Sequence, residues 1–149
     1  STTQNHPLGT IVRAEDPTYG GGEFIYLKGI GSTIVGSIVR YDDSFTTALN
    51  TSALTDALPL AVAMSINVAS QYGWYQISGL AQVAKATSTS FADGAGIGSA
   101  SGLAVAVSTN VQIQGAIVYA VASAVSGTAP DLVGVAINRP HDIATAVAA

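Results

Sequence analysis

Charge is what this sequence has least of. Lys, Arg, Asp and Glu make up 9% of its 149 residues, against roughly 25% in an average soluble domain. A lone monomer normally covers itself with such side chains. Here Ala, Ser, Thr, Gly, Asn and Gln must form much of the surface, and such surface is cheap to desolvate against other subunits. The five Lys and Arg residues are scattered singly, so no basic patch exists to neutralise phosphates, and nucleic acid is not an expected partner. Cysteine is absent, which excludes disulfides, thiolate metal sites and cysteine nucleophiles. There are two histidines, His6 and His141, each beside a proline in a terminal segment. They are read as solvated loop residues, because no neighbouring carboxylates give ligand spacing. Long hydrophobic runs are also missing. The most apolar region, Leu103 to Val125, is broken by Ser108, Thr109, Asn110, Gln112, Gln114 and Gly115. It falls short of the roughly 20 residues that a spanning helix needs, so no membrane span is expected. Ser1 is not followed by a basic or apolar leader, and the expectation is a form without a signal peptide.

What remains reads as strands and turns. Residues 1–7 are polar, end in Pro7 and are taken as a flexible N-terminal arm. Residues 8–149 are taken as a single β domain, long enough to bury a core. Strand segments are expected at Leu8–Ala14, Glu23–Lys28, Thr33–Tyr41 (with Gly36 a bulge or close approach), Leu60–Val68, Leu103–Val107, Val111–Gln114 and Asp131–Ile137. The glycines Gly20, Gly21 and Gly22 are taken to rule out regular structure. Asp42–Ser44, Gly127–Pro130 and Asn138–Asp142 read as turns, and Ala86–Gly102 as a long loop. Phe45–Leu54 is ambiguous: its threonines favour extended chain, yet Ser52–Ala57 could form a helical turn. Ala116–Val125 fits helix by its alanines or strand by Ile117, Val118, Tyr119 and Val121, and strand is preferred. The sum is an all-β fold, a small barrel or sandwich of short antiparallel strands with long loops.

The bulky side chains concentrate in Tyr72–Lys85, which holds the one tryptophan and two of the six tyrosines. It reads as a strand, a glycine break at Gly79 and a second strand. Alternation puts Tyr75 and Ile77 on one face and Trp74, Gln76 and Ser78 on the other. Tyr75 and Ile77 are the better core residues. Trp74, with Tyr72, Gln76 and Ser78, is a candidate interface, although a partial core position for Trp74 is open. Tyr72, Trp74, Tyr75 and Tyr119 together could also form a ligand platform.

Chemistry is harder to find. Gly20–Gly22 and Gly94-x-Gly96-x-Gly98 lack the Lys-Ser/Thr of a phosphate-binding loop. No G-x-S-x-G elbow is present. The carboxylates Glu15–Asp16 and Asp42–Asp43 are neighbours at strand ends rather than partners across a cleft. No catalytic residue, metal site or cofactor is expected.

The run PLAVAMSINVASQYGWYQISGLAQVAKA, the strand GLAVAV and the segment AIVYAVASAVSGTAPDLVGVAINRP, with a Gly/Ala/Ser-rich loop after the first, resemble the small capsid decoration (cement) proteins of tailed bacteriophages. Gln76-Ile77-Ser78-Gly79-Leu80-Ala81 and Gly134-Val135-Ala136-Ile137 carry the pattern. The resemblance covers about residues 58–138, and the N-terminal third does not align. It implies a non-enzymatic β-protein, made in a host cytoplasm, that sits on the outer surface of a virion. Its partners would be the major capsid protein and itself, as a homotrimer. Two other classes compete. A phage tail, fibre or receptor-binding module would present sugar-stacking aromatics in a cleft. A small hydrolase would need a clustered acid–base pair.

Overall fold

The computed structural model describes residues 1–51, 57–67, 69–87, 89–108, 111–119 and 131–142. Among them there is no helix, and strands account for the regular structure. In chain order these are β1 (Ile11–Asp16), β2 (Gly20–Lys28), β3 (Ile38–Tyr41), β4 (Thr47–Leu49), β5 (Leu60–Ala63), β6 (Tyr72–Ala84), β7 (Gly98–Ala100), β8 (Leu103–Val105), β9 (Ile113–Val118) and β10 (Leu132–Asp142). The fold is all-β and sandwich-like, without a closed barrel.

β6 is the strand the others assemble on. Its first half pairs antiparallel with β2, from Tyr72 opposite Lys28 to Ser78 opposite Glu23. Its second half pairs with β10, from Ser78 opposite Asn138 to Ala84 opposite Leu132. Near its middle, Tyr75 and Gln76 meet Ala63 and Val62 of β5. The large sheet then runs β1-β2-β6-β5-β3-β4, with β10 on β6 and β9 on β10, while β7 and β8 form a separate ribbon.

The expected break at Gly79 is a bend within one continuous strand. Gly79 has φ 103, a backbone state that costs L side chains dear and glycine little. Just before it, the β2 register slips between Glu23 and Phe24, so β6 carries an extra residue there and turns more sharply. The Gln76 amide donates to the carbonyls of Ser78 (3.1 Å) and Leu80 (3.3 Å), spanning the bend. As a result, odd-numbered residues of one strand serve two cores. Tyr75 and Ile77 pack with Ile25, Leu27, Val39, Ala61 and Ala63. Ala81 and Val83 pack with Leu60, Val62, Val118, Val133 and Val135. Tyr75 and Ile77 are buried, as alternation required.

β5 lies between the two cores. Leu60 and Val62 face one, Ala61 and Ala63 the other, and all four residues are buried. A strand covered on both faces reads as an unbroken apolar run, which is why Leu-Ala-Val-Ala lacks polar alternation. The loop before β3 closes the fold. The Gly36 amide donates to Ala63 O and its carbonyl accepts from Ala84 N, each at 2.8 Å. Ala63 is paired with Tyr75 near the start of β6, so the bend brings the end of that strand back to the same loop.

Several expectations need correction. Gly20–Gly22 are regular structure: they open β2 opposite Asp16, Glu15 and Ala14. Glycine keeps its backbone donor and acceptor, and Asp16 Oδ1 closes the turn by accepting from Thr18 N and Tyr19 N. Asn138–Asp142 is not a turn but the end of β10. A register shift between Ile137 and His141 and φ 48 at Arg139 form a bulge, which is how Pro140 is tolerated in a sheet. The strand expected over Thr33–Tyr41 is confined to Ile38–Tyr41, because Gly36 at φ 85 cannot continue it. The Ala86–Gly102 loop contains β7. Phe45–Leu54 is extended at Thr47–Leu49. The possible helical turn at 52–57 falls mostly on undescribed residues, as do the end of Ala116–Val125 and the turn at 127–130.

A Cβ on Gly36 would lie 2.6 Å from Ala84 N, and on Gly79 2.5 Å from Gly21 O. Gly36→Ala and Gly79→Ala should each destabilise by about 2 kcal/mol or more, from steric overlap plus backbone strain. Gly31 has nothing within 4 Å of an added Cβ, so Gly31→Ala should stay within about 0.5 kcal/mol of wild type. Urea unfolding of the three variants checks this ordering.

Candidate functional site

Even-numbered positions of β6 carry Tyr72, Trp74, Gln76 and Ser78, and the structure splits this set. Tyr72 and Trp74 stand opposite Lys28 and Tyr26 of β2, and three rings converge. Tyr26 and Trp74 have centroids 5.0 Å apart. Tyr26 and Tyr72 stack at 6.3 Å with 14° between planes. Sequence reasoning did not place Tyr26 here, because its neighbours come from a strand about 50 residues away, a pairing that local pattern does not encode.

The N-terminal arm lies across these rings. Ser1 bonds to Tyr72 in both directions: its amino group donates to Tyr72 O at 2.9 Å, and its carbonyl accepts from Tyr72 N at 2.7 Å. Asn5 N donates to Tyr26 Oη at 3.2 Å. His6, expected as a solvated loop residue, packs edge-on to Tyr26 at 5.1 Å and tilted on Trp74 at 5.2 Å. Tyr26 is thereby buried, while Tyr72 and Trp74 are half-buried. A groove of about 380 Å³ runs between the arm and Tyr72, Trp74 and Met64. Met64 is exposed at its wall, and Ile66, two residues on, is exposed as well.

The other candidates lie apart. Gln76 is 5% exposed and its amide is committed to the β6 bend, so it offers little to a partner. Ser78 lines a different, open groove of about 540 Å³ with Arg13, Glu15 and Glu23. Tyr75 points into the core beneath, where Asn67 Nδ2 donates to its hydroxyl at 3.1 Å. Burial, offset in part by that bond and by Thr47, pushes the Tyr75 phenol above its ordinary range. Tyr119 is exposed just beyond β9 and is not one of the rings in contact with Trp74. The four-residue platform is therefore replaced by Tyr26, Tyr72 and Trp74 with His6.

Glu23 is the electrostatic centre of the second groove. Its two oxygens face Arg139 at 2.8 Å and Arg13 at 3.2 Å. The Arg139 hydrogen bond, helped by both positive charges and opposed by some desolvation, holds the Glu23 carboxyl below its ordinary 4.5. Among the described residues, no group of three or more His, Asp or Glu could hold a metal ion, and no helix is long and apolar enough to cross a membrane.

Two outcomes are expected. Glu23 releases its proton at lower pH when folded than when unfolded, so its contribution is complete above the ordinary value and fades as pH falls through the lowered one. The stability gap between wild type and Glu23→Gln, measured by urea titration, should be present at neutral pH and close in acid. A His6→Ala change should loosen the arm by about 0.5–1.5 kcal/mol, the worth of an aromatic contact, and red-shift Trp74 fluorescence while leaving the far-UV spectrum intact.

Comparison of the chain with protein-family models, with curated proteins and with solved structures finds no match in any of the three.

Proposed function

We propose that this protein is a structural binding module, and specifically a decoration (cement) protein that attaches to the outer face of a tailed-phage head and stabilises it. The observation that carries the reading is a surface poor in charge and set with bare apolar side chains. Met64, Ile66, Ile117 and Tyr119 are all exposed, with Ile66 at 64% and Tyr119 at 54%. Such groups cost little to desolvate and gain when covered by another protein. The pattern around Gln76–Ala81 and Gly134–Ile137 supplies the resemblance to decoration proteins. In this reading the partners are the major capsid protein and other copies of the chain, assembled as a trimer, and no chemistry is performed. A ligand that binds the assembled lattice but not its dissociated subunits stabilises the lattice by mass action.

The N-terminal arm has a place in this function. It is held by a few hydrogen bonds and by two ring contacts of His6, and each of residues 1–7 remains exposed. It can therefore be exchanged for a capsid surface at small cost. A second reading, a receptor-binding module of a tail or fibre, draws support from the half-buried Tyr72 and Trp74 beside a groove, since aromatic faces stack on sugars.

Particles assembled with and without the protein distinguish these. The decoration reading expects added density on the head and a loss of heat resistance when the protein is missing. Unchanged heads and unchanged heat resistance would reject it. Removal of residues 1–7 should lower head occupancy while the domain stays folded.

A further inference from the structure

β1 is a sheet edge left open. All six of its residues are exposed, and its partner β2 covers one side only. Its charges, Arg13, Glu15 and Asp16, are of both signs, and the other devices that usually blunt such an edge are missing. The β1–β2 register runs without a bulge from Ile11 to Asp16, the strand contains no Lys or Pro, and among the described residues no backbone bond reaches its outer side. The edge strand β9 is different, since it has Gly94–Ile97 bonded along it.

The outward set of backbone groups follows from the pairing. Tyr26 N donates to Thr10 O, in register with Ile11 opposite Ile25. Even positions of β1 therefore bond to β2, and Ile11, Arg13 and Glu15 turn their amides and carbonyls outward. These same residues carry side chains on one face, Ile11 apolar, Arg13 positive and Glu15 negative.

We propose that β1 pairs antiparallel with β1 of a second copy, about a two-fold axis through Ala14, so that Arg13 of each copy lies opposite Glu15 of the other. The strand pleat allows only registers that join outward-turned residues to each other. A two-fold at Arg13 would set Arg13 against itself, and one at Glu15 would set Glu15 against itself. The register centred on Ala14 alone places opposite charges across both positions, and it also sets Ile11 against Pro17. Each Arg13–Glu15 pair then exchanges backbone hydrogen bonds as well as charge. Arg13 is suited to this, because its side chain remains 86% exposed despite the contact with Glu23. Charges that a neutral strand would leave unpaired on docking here find their opposites, so the edge is self-complementary. The contact is isologous and closes on two copies. It is independent of the capsid reading: on a free domain it gives dimers, and on a three-fold assembly it joins one trimer to the next.

Complementary charge variants test it without needing a partner. Sedimentation velocity over a concentration series would be run on wild type, Arg13→Glu, Glu15→Arg and an equimolar mixture of the two variants. Wild type should self-associate. Each variant alone puts like charges opposite one another and should weaken association about tenfold or more, from two cross-strand pairs changed in sign. The mixture should recover it. One chain then carries carboxylates at both positions and the other carries guanidinium groups at both, so each cross-strand pair again joins opposite charges. Glu23→Gln removes the intrachain partner of Arg13 while leaving the edge untouched, and should associate like wild type. Far-UV spectra and melting curves establish that the variants are folded. Wild type and mixture no heavier than the single variants, or single variants that associate like wild type, would overturn the proposal.

Discussion

A strand that serves two cores has to turn between them, and β6 does so at Gly79. The turn needs a positive φ, a register slip against β2 and a side-chain amide, that of Gln76, to occupy carbonyls at the bend. From it follow the separation of the Tyr75 and Val83 clusters, the double burial of β5 and the return of Ala84 to the Gly36 loop. Without the bend, Gly36 could not be bonded to both Ala63 and Ala84, because those residues meet opposite ends of a 13-residue strand.

What was legible in the sequence was local. Alternation placed Tyr75 and Ile77 inside, because a pleated strand leaves no choice once one face is buried. It marked Trp74 as different from them, and it identified the all-β class. What was not legible depended on contacts far along the chain. Tyr26 and His6 join Trp74 only because β2 and the arm happen to lie there. Gly20–Gly22 form strand because Ala14–Asp16 supply the ladder, which overrides glycine's weak intrinsic preference. Pro140 sits in β10 because a bulge at Arg139 absorbs it. Gln76 shared a face with Trp74 in the pattern, but burial and two carbonyls at the bend claimed its amide.

The surface continues the same logic. A chain with few charges has placed its bulky residues in two modest cores and on scattered exposed positions. Three of its charges are grouped rather than spread: Arg13, Glu23 and Arg139 meet at one place beside the β1 edge. Apolar side chains are exposed beside this cluster, at Ile11 and Val12 of β1, and away from it, at Met64 and Ile66 after β5 and at Ile117 and Tyr119 around β9.

The two cores also differ in when they can be completed as the chain is made. The one around Tyr75 draws its buried members from Ile25 to Ile77, so none lies beyond the opening half of β6. The other waits for Ile97, Val118 and finally Val133, Val135 and Ile137. During synthesis the first can close while residues 78–84 of β6 still lack β10. That leaves an apolar strand edge uncovered for the time taken to translate and fold some 50 further residues, at about 5–20 residues per second. The late half of β6, with Leu80, Ala81 and Val83 awaiting the cover that β10 brings, is thus the place where a nascent chain is most exposed to wrong pairing.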